Sequence, residues 1–126
     1  MAVDTLGFLW ALMVVPADVQ DRAGGVALVE KLRSAVKRIK KLWGDAHFDR
    51  ALTLAWCWWG WVGVVVKKLA GQKGFVVQPK RWIAERTFGW LNRFRRLSKD
   101  YERTIQSSEA FVKVAMIHVM VRRLRL

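Results

Sequence analysis

Residues 79–97, PKRWIAERTFGWLNRFRRL, form the stretch around which the rest of the chain is organised. Lysine and arginine dominate it, and its single acid is Glu85. Pro79 suits the position just ahead of a helix or its first turn, where the missing N–H costs nothing. Helical spacing then places Arg81 and Glu85 on one face. The pattern predicts a helix from Pro79 to the region of Ser98.

The residues around Glu85 are compatible with two roles for its carboxylate. The simpler one is an ion pair with Arg81, four residues earlier, worth roughly 0.3 kcal/mol. The other is a role in holding a divalent metal ion beside a phosphate, since guanidinium groups and aromatic rings flank the carboxylate. The spacing by itself favours the ion pair.

Asp45 is the second acid with a suggestive position. It follows a short predicted strand over 40–43 and is reached through Gly44. Open α/β sheets usually place ligand groups at the carboxyl ends of their strands. An ordinary turn or N-cap aspartate has the same sequence context, so the position alone does not decide between the two.

The remaining pattern predicts alternating strands and helices. The first half is expected to form hairpin strands over 1–5 and 6–15 and then a helix over 25–38 that is capped by Asp21. A helix over 49–60, a strand over 61–69 and a loop over 70–78 are expected to follow. The last helix is expected to be capped by Ser107 or Ser108. The last helix is apolar nearly all round, so we expect it to be buried. The tryptophans at 56, 58, 59 and 61 are expected to pack in the core rather than to stack on bases.

Composition points to a polyanionic partner. The 126 residues carry a net charge of +13, of which residues 80–126 supply +8 with twelve lysines and arginines against four acids. Such a basic domain most often binds nucleic acid, and an anionic membrane surface is the competing partner. The lone Cys57 excludes an internal disulfide, and no Cys/His grouping supports a zinc site. The apolar run over 6–15 is too short to span a bilayer.

A long phrase of the sequence carries a family resemblance. RWIAERTFGWLNRFRRLSKDYE at 81–102 is followed by SSEAF at 107–111 and AMIHVMVRRL at 115–124. From Gly74 to Leu124 the chain closely resembles, without gaps, the C-terminal end of bacterial insertion-sequence transposases of the DDE type, in the insertion-sequence-five group. The resemblance implies an α/β, ribonuclease-H-like catalytic domain with C-terminal helices and an Asp-Asp-Glu triad.

The resemblance assigns roles to both acids. It implies that Glu85 is the final acid of the triad, with Arg81 the arginine that precedes it by four residues. A related group continues this signature with Tyr and Lys, where this chain has Gln78 and Asn92. Asp45, in LWGDAHF, aligns with the second catalytic Asp, although the residues after it differ from the usual Gly-Gly-Tyr.

The same resemblance implies a cofactor and a substrate. In the family, three carboxylates hold two Mg²⁺ or Mn²⁺ ions that act on a DNA phosphodiester. Asp45 and Glu85 are therefore the expected catalytic and metal-binding residues. The residues expected to contact DNA phosphates are Arg81, Arg86, Arg93, Arg95 and Arg96.

The family's first catalytic Asp has no counterpart here. It lies on a strand upstream of VDTLG at 3–7, and Asp4 within that phrase falls in the following strand or its turn. Residues 1–126 are therefore expected to be one partial DDE domain, truncated at its N-terminal strand and inactive alone. Expected partners are the DNA of transposon ends and target, an upstream-encoded transposase half and, in the complete enzyme, further copies of itself. The expected place is the bacterial cytoplasm, at the nucleoid, with no membrane partner.

Two alternatives to an enzyme remain open at this point. One is a non-catalytic DNA-binding remnant, or a subunit that completes a transposase only in a complex. The other is a basic protein of the membrane surface, which the all-round apolar character of the last helix disfavours.

Overall fold

The computed structural model describes residues 1–67, 71, 73–74 and 80–124, apart from the side chain of Asp21. Four strands and four longer helices occur in these residues, and the order of the chain mixes the two kinds of element. They are β1 (Ala2–Val3), β2 (Leu9–Ala11), α1 (Asp21–Ala35), β3 (Lys41–Gly44), α2 (Asp49–Trp59), β4 (Val62–Val65), α3 (Arg81–Leu91) and α4 (Ile105–Arg123). The mixture agrees with the expected α/β class. The predicted helix start at Pro79, most of the predicted loop over 70–78 and the end of the predicted strand over 61–69 lie outside the described residues.

The first two strands form the predicted hairpin, with shorter strands than expected. They are antiparallel, and Ala2 faces Ala11 across the pair. Asp4 organises the turn, because its Oδ1 accepts hydrogen bonds from the backbone N–H groups of Leu6 and Phe8 at 2.9 and 3.0 Å. Its Oδ2 accepts a third bond, from the Trp10 indole. Asp4 is therefore a turn residue, one of the two positions that the sequence left open.

The other two strands form a separate parallel pair. β3 and β4 align Lys41 with Val62 and Gly44 with Val65, and α2 makes the crossover between them. The helix predicted over 49–60 is confirmed, and it ends where Gly60 takes a left-handed conformation with φ 69°. Within the described residues the two pairs remain two sheets, each of two strands.

Helix α1 begins four residues before the predicted start. Gln20 occupies the N-cap position and Asp21 is already helical, so the prediction of Asp21 as the N-cap was wrong. The prediction followed the helical spacing of apolar residues, which begins at Val26. Tertiary packing explains why glycine is present at position 25: a Cβ on Gly25 would lie 2.7 Å from the Phe48 ring.

The core has two parts. The larger packs α1 and α2 around one indole and contains Ala11, Leu28, Val29, Leu32, Ala51, Ala55 and Trp61. The smaller joins α3 to α4 through Leu91, Ala115 and Met116. The expectation for the tryptophans is met only in part, since Trp61 is buried and Trp59 packs against the core, whereas Trp56 and Trp58 are exposed.

Helix α3 ends earlier than the sequence predicted. Its last residue is Leu91, and Phe94 adopts an extended backbone conformation before a 3₁₀ turn at Arg95–Leu97. The break turns Phe94 and Leu97 towards the smaller core cluster. Burial of these two side chains against α4 replaces the helical continuation that local propensity favours.

Helix α4 is capped and buried differently from the prediction. Thr104 is its N-cap, accepting a hydrogen bond from the Ser107 N–H at 3.2 Å, so the cap lies one turn before the predicted serines. The helix buries one side only, against α3 and the segment after it. Val114 and Ile117 are 63% and 59% exposed, so the expectation of burial all round was wrong.

Glu109 links α4 to α1 and to the segment after β2. Its carboxylate accepts a hydrogen bond from the backbone N–H of Val14 at 3.1 Å and pairs with the Lys31 ammonium at 3.2 Å. Lys31 also donates to the carbonyl oxygen of Leu12 at 2.6 Å. Burial raises the pKa of Glu109, but the Val14 N–H and the Lys31 charge outweigh it and leave the pKa below its usual value.

We expect Glu109→Gln to lower the free energy of unfolding by about 1 kcal/mol at neutral pH, since it removes a charge-assisted hydrogen bond. A pKa lowered by folding gives stability that is complete above the ordinary glutamate pKa and is lost as the pH falls below it. Urea denaturation from pH 7 to pH 3 should show the two proteins converging at the acid end. Glu30→Gln, on the exposed face of α1, is the control. A constant difference across the whole pH range would contradict the role of the charge.

Candidate active site

Asp45 lies where the sequence predicted, directly after β3. It is the N-cap of a 3₁₀ turn at Ala46–Phe48, and its Oδ1 accepts the His47 N–H at 3.0 Å. The side chain is half-buried, and Oδ2 makes no hydrogen bond to the described residues. One oxygen therefore shapes the turn, and the other remains available to a ligand.

Glu85 lies on the solvent side of α3. Its Oε1 is 3.4 Å from the Arg81 Nε, and the two side chains are 62% and 54% exposed. The ion pair expected from the spacing is thus present, and at this exposure its net contribution to stability is small. The carboxylate is also open to solvent and so remains accessible to an external ligand.

One cavity connects the elements that carry the two acids. We call this space of about 320 Å³ the inter-sheet cavity; it is lined by residues of β1, of β3 and of the first turn of α3. Lys80, at the N-cap of α3, places its ammonium 5.6 Å from the centre of the Trp43 ring on β3. The start of α3 therefore lies against β3, two residues before Asp45. Neither Asp45 nor Glu85 belongs to the lining itself.

The described residues do not assemble a metal site by themselves. Carboxylate oxygens are suitable ligands for Mg²⁺ or Mn²⁺. Among the residues that the structure describes, however, no three His, Cys, Asp or Glu side chains come together in a way that could hold an ion. Asp45 and Glu85 therefore have suitable chemistry for such an ion without forming a group of three with other described residues.

Arg86 is engaged in holding the fold. Its guanidinium donates to the carbonyl oxygen of Leu6 at 2.8 Å and lies 4.8 and 4.9 Å from the rings of Trp82 and Trp90. Its Nε is buried and lacks a partner among the described residues. Of the five arginines expected at DNA, this one is already committed to the hairpin turn.

The other four arginines are more accessible. Arg96 pairs with Glu102 at 2.8 Å, and Arg81 pairs with Glu85. Arg93 and Arg95 are exposed and form no ion pair within the described part of the chain. A guanidinium group has five N–H donors, so a paired arginine still has donors for a phosphate.

Sequence reasoning missed the lysines at the inter-sheet cavity. Lys40, Lys41 and Lys80 line it, and the ammonium of Lys41 is 5.2 Å from the centre of the Trp43 ring. Lys80 is thirty-seven residues from Trp43, too far along the chain for any local pattern to reveal the contact. The only sequence feature that pointed to this group was the pair of lysines, Lys40 and Lys41, close to Trp43.

Thr87 fixes the rotation of α3 on the hairpin. Its side chain is fully buried, and the hydroxyl donates to the carbonyl oxygen of Gly7 at 2.7 Å while lying 3.1 Å from that of Ile83. Gly7 has φ 88°, and a Cβ there would lie 2.9 Å from the Thr87 hydroxyl. Because the Thr87 hydroxyl is so close, position 7 has no room for a side chain and requires glycine.

We expect Thr87→Val to lower the free energy of unfolding by about 1–3 kcal/mol, because the buried Gly7 carbonyl loses its donor while the packed volume is kept. Thr53→Val is the matched control, since the Thr53 hydroxyl also donates to a carbonyl four residues earlier but is exposed on α2. Denaturant unfolding of both variants measures the difference. Equal losses would show that the bond to Gly7 contributes little.

These features define a basic α/β domain with one acid after a parallel strand and another on an arginine-bearing helix. The model of the transposase DDE domain family matches residues 1–120 of the chain. The protein therefore belongs to the transposase DDE domain family. No curated protein and no solved structure matches it.

Among the helices that the structure describes, none combines the length and the apolar character needed to cross a bilayer.

Proposed function

We propose that this chain forms part of the catalytic domain of a DNA transposase of the insertion-sequence-five group, with a ribonuclease-H-like arrangement over residues 1–126. Asp45 and Glu85 are proposed as the second and third acids of its triad. The observation that carries the proposal is the family match, together with the position of Asp45 after β3 and of Glu85 on the helix whose start contacts β3. The reaction is cleavage and transfer of DNA strands.

The first acid is proposed to arrive on a strand that enters the inter-sheet cavity. β1 and β3 both line this cavity, and each pairs with only one other strand in the described part of the chain. Unpaired backbone edges favour the addition of a strand. The partner that supplies it is proposed to be an upstream-encoded transposase half, and the complete enzyme is proposed to be a homo-oligomer.

A metal ion, Mg²⁺ or Mn²⁺, is proposed to bind once the third carboxylate is in place. The chain alone is then proposed to cleave DNA poorly or not at all, which agrees with the incomplete acid set among the described residues. Such an ion would neutralise charge at the phosphate under attack. The residues of this chain that would hold it are Asp45, through its free Oδ2, and Glu85.

The exposed arginines are proposed to bind the DNA backbone. Arg93 and Arg95 form no ion pair with a described carboxylate, and Arg81 and Arg96 keep N–H donors beyond their ion pairs. Arg86 is proposed to position α3 instead, through its bond to Leu6. With DNA as substrate, the place of action is proposed to be the bacterial cytoplasm at the nucleoid.

A second candidate is a subunit or remnant that binds DNA without chemistry of its own. The incomplete acid set favours it. It differs from the first candidate in needing neither Asp45 nor Glu85.

The test is metal-dependent nicking and strand transfer by the chain mixed with an upstream transposase half. We expect Asp45→Asn and Glu85→Gln each to lower the rate at least a hundredfold, because each removes one charged ligand of the ion. Asp18→Asn and Glu30→Gln, both on exposed side chains, should leave the rate unchanged.

Two results would contradict this proposal. Activity retained in both acid variants would favour the non-catalytic candidate. Mg²⁺-dependent strand transfer by the chain alone would show that no third carboxylate has to be supplied.

A further inference from the structure

We infer that a cleft between α3 and α4 binds the phosphodiester backbone of nucleic acid, at a site separate from the two acids. The α3–α4 cleft has a volume of about 450 Å³ and lies where the C-terminal parts of the two helices face each other. The polar and aromatic side chains that line it are Arg93, Arg122, Arg123, His118, Trp90 and Phe94. No acid is among the described residues of its wall.

The charge of this wall is not neutralised within the described chain. None of its three arginines forms an ion pair with a described carboxylate, whereas Arg81 and Arg96 each do. A concave surface that carries charge of one sign concentrates the electrostatic potential and attracts a counter-ion. The cleft therefore favours an anionic ligand.

The aromatic rings of the cleft are already in contact with other groups. The guanidinium groups of Arg123 and Arg86 lie 3.8 and 4.9 Å from the centre of the Trp90 ring. The Phe94 ring meets His118 edge-on at 5.4 Å. The three arginines of the cleft have no carboxylate partner among the described residues, and their N–H donors suit phosphate oxygens. Binding should consequently be independent of DNA sequence.

The cleft faces away from the carboxylate side of α3. Trp90 follows Glu85 by five residues, which is a rotation of about 140° around a helix of 3.6 residues per turn. The α3–α4 cleft is thus a second contact for DNA and not an extension of the acid site. This inference rests on the proposed function in one respect, namely that DNA is the ligand.

The experiment measures binding of the full chain to a fluorescent DNA duplex as a function of salt, in EDTA and without divalent metal. The cleft variant combines Arg93→Ala with Arg122→Ala. The control combines Arg38→Ala with Arg50→Ala; both residues are exposed, Arg38 in the loop after α1 and Arg50 in α2. Each pair lowers the net charge of +13 by two. We expect the slope of log affinity against log salt to become shallower by about 1.8 for the cleft pair, since each lost phosphate contact removes about 0.9. The control pair should leave the slope unchanged.

Equal changes in the two pairs, or no change in the cleft pair, would overturn the inference. Circular dichroism verifies that the variants are folded. Arg93→Gln with Arg122→Gln, which keeps more of the side-chain volume, carries the same expectation if the alanine pair is unfolded.

Two further arms identify the source of the phosphate group. Displacement of DNA by inorganic phosphate, beyond that by chloride at equal ionic strength, would assign the cleft to a free phosphate and overturn the inference. Binding to phosphatidylglycerol vesicles that is lost in the cleft pair would assign it to a lipid headgroup, with the same consequence. We expect neither effect.

The DNA-binding experiment on the cleft can fail or succeed independently of the cleavage test on Asp45 and Glu85. If the acids prove essential for cleavage and the cleft pair binds normally, this inference and the assignment of Arg93 to the DNA backbone fail, while the proposed catalysis stands. If the cleft pair loses binding and the acids are dispensable, the proposed catalysis alone fails.

Discussion

The hydrogen bond between Thr87 and Gly7 is the constraint on which the arrangement of α3 depends. It joins residues eighty positions apart and is fully buried. With the neighbouring bond from Arg86 to Leu6, it fixes both the position and the rotation of the helix on the hairpin turn. The rotation directs Ile83 and Thr87 inwards, and Glu85 consequently faces solvent. A buried donor and acceptor that lose each other are costly, which makes this rotation a specific one.

The division of the strands into two pairs is the second organising feature. Parallel strands are usually covered on both faces and belong to larger sheets. In the described part of the chain β3 and β4 form a sheet of two strands, and residues of β3 line the same cavity as residues of β1. The cavity is lined by three lysines and by Trp43, which precedes Asp45 by two residues.

The cations of the chain divide into those that hold the structure and those that are available to a ligand. Lys31 neutralises Glu109, Arg96 pairs with Glu102, and Arg86 lies against two indoles. The arginines of the α3–α4 cleft have no such acid among the described residues. A net charge of +13 therefore does not describe a uniform surface. Part of it stabilises the packing of helices, and part, including the arginines of the α3–α4 cleft, has no carboxylate partner among the described residues.

The sequence by itself determined the hairpin, the strand before Asp45, the helix over 49–60 and the exposed face of Arg81 and Glu85, because each depends on local spacing and on turn residues. The sequence motifs within residues 81–124 also indicated the DDE transposase family, and the family match over residues 1–120 agrees with it. Local patterns could not show where α3 ends, since Phe94 leaves the helix to bury its ring against α4. Nor could they show which side of α4 is covered, because apolar residues occur on every face and only the neighbouring elements select one. Tertiary structure decided these points, together with the grouping of Arg93, Arg122 and Arg123 in one cleft, because contacts between distant residues depend on packing that no local period encodes.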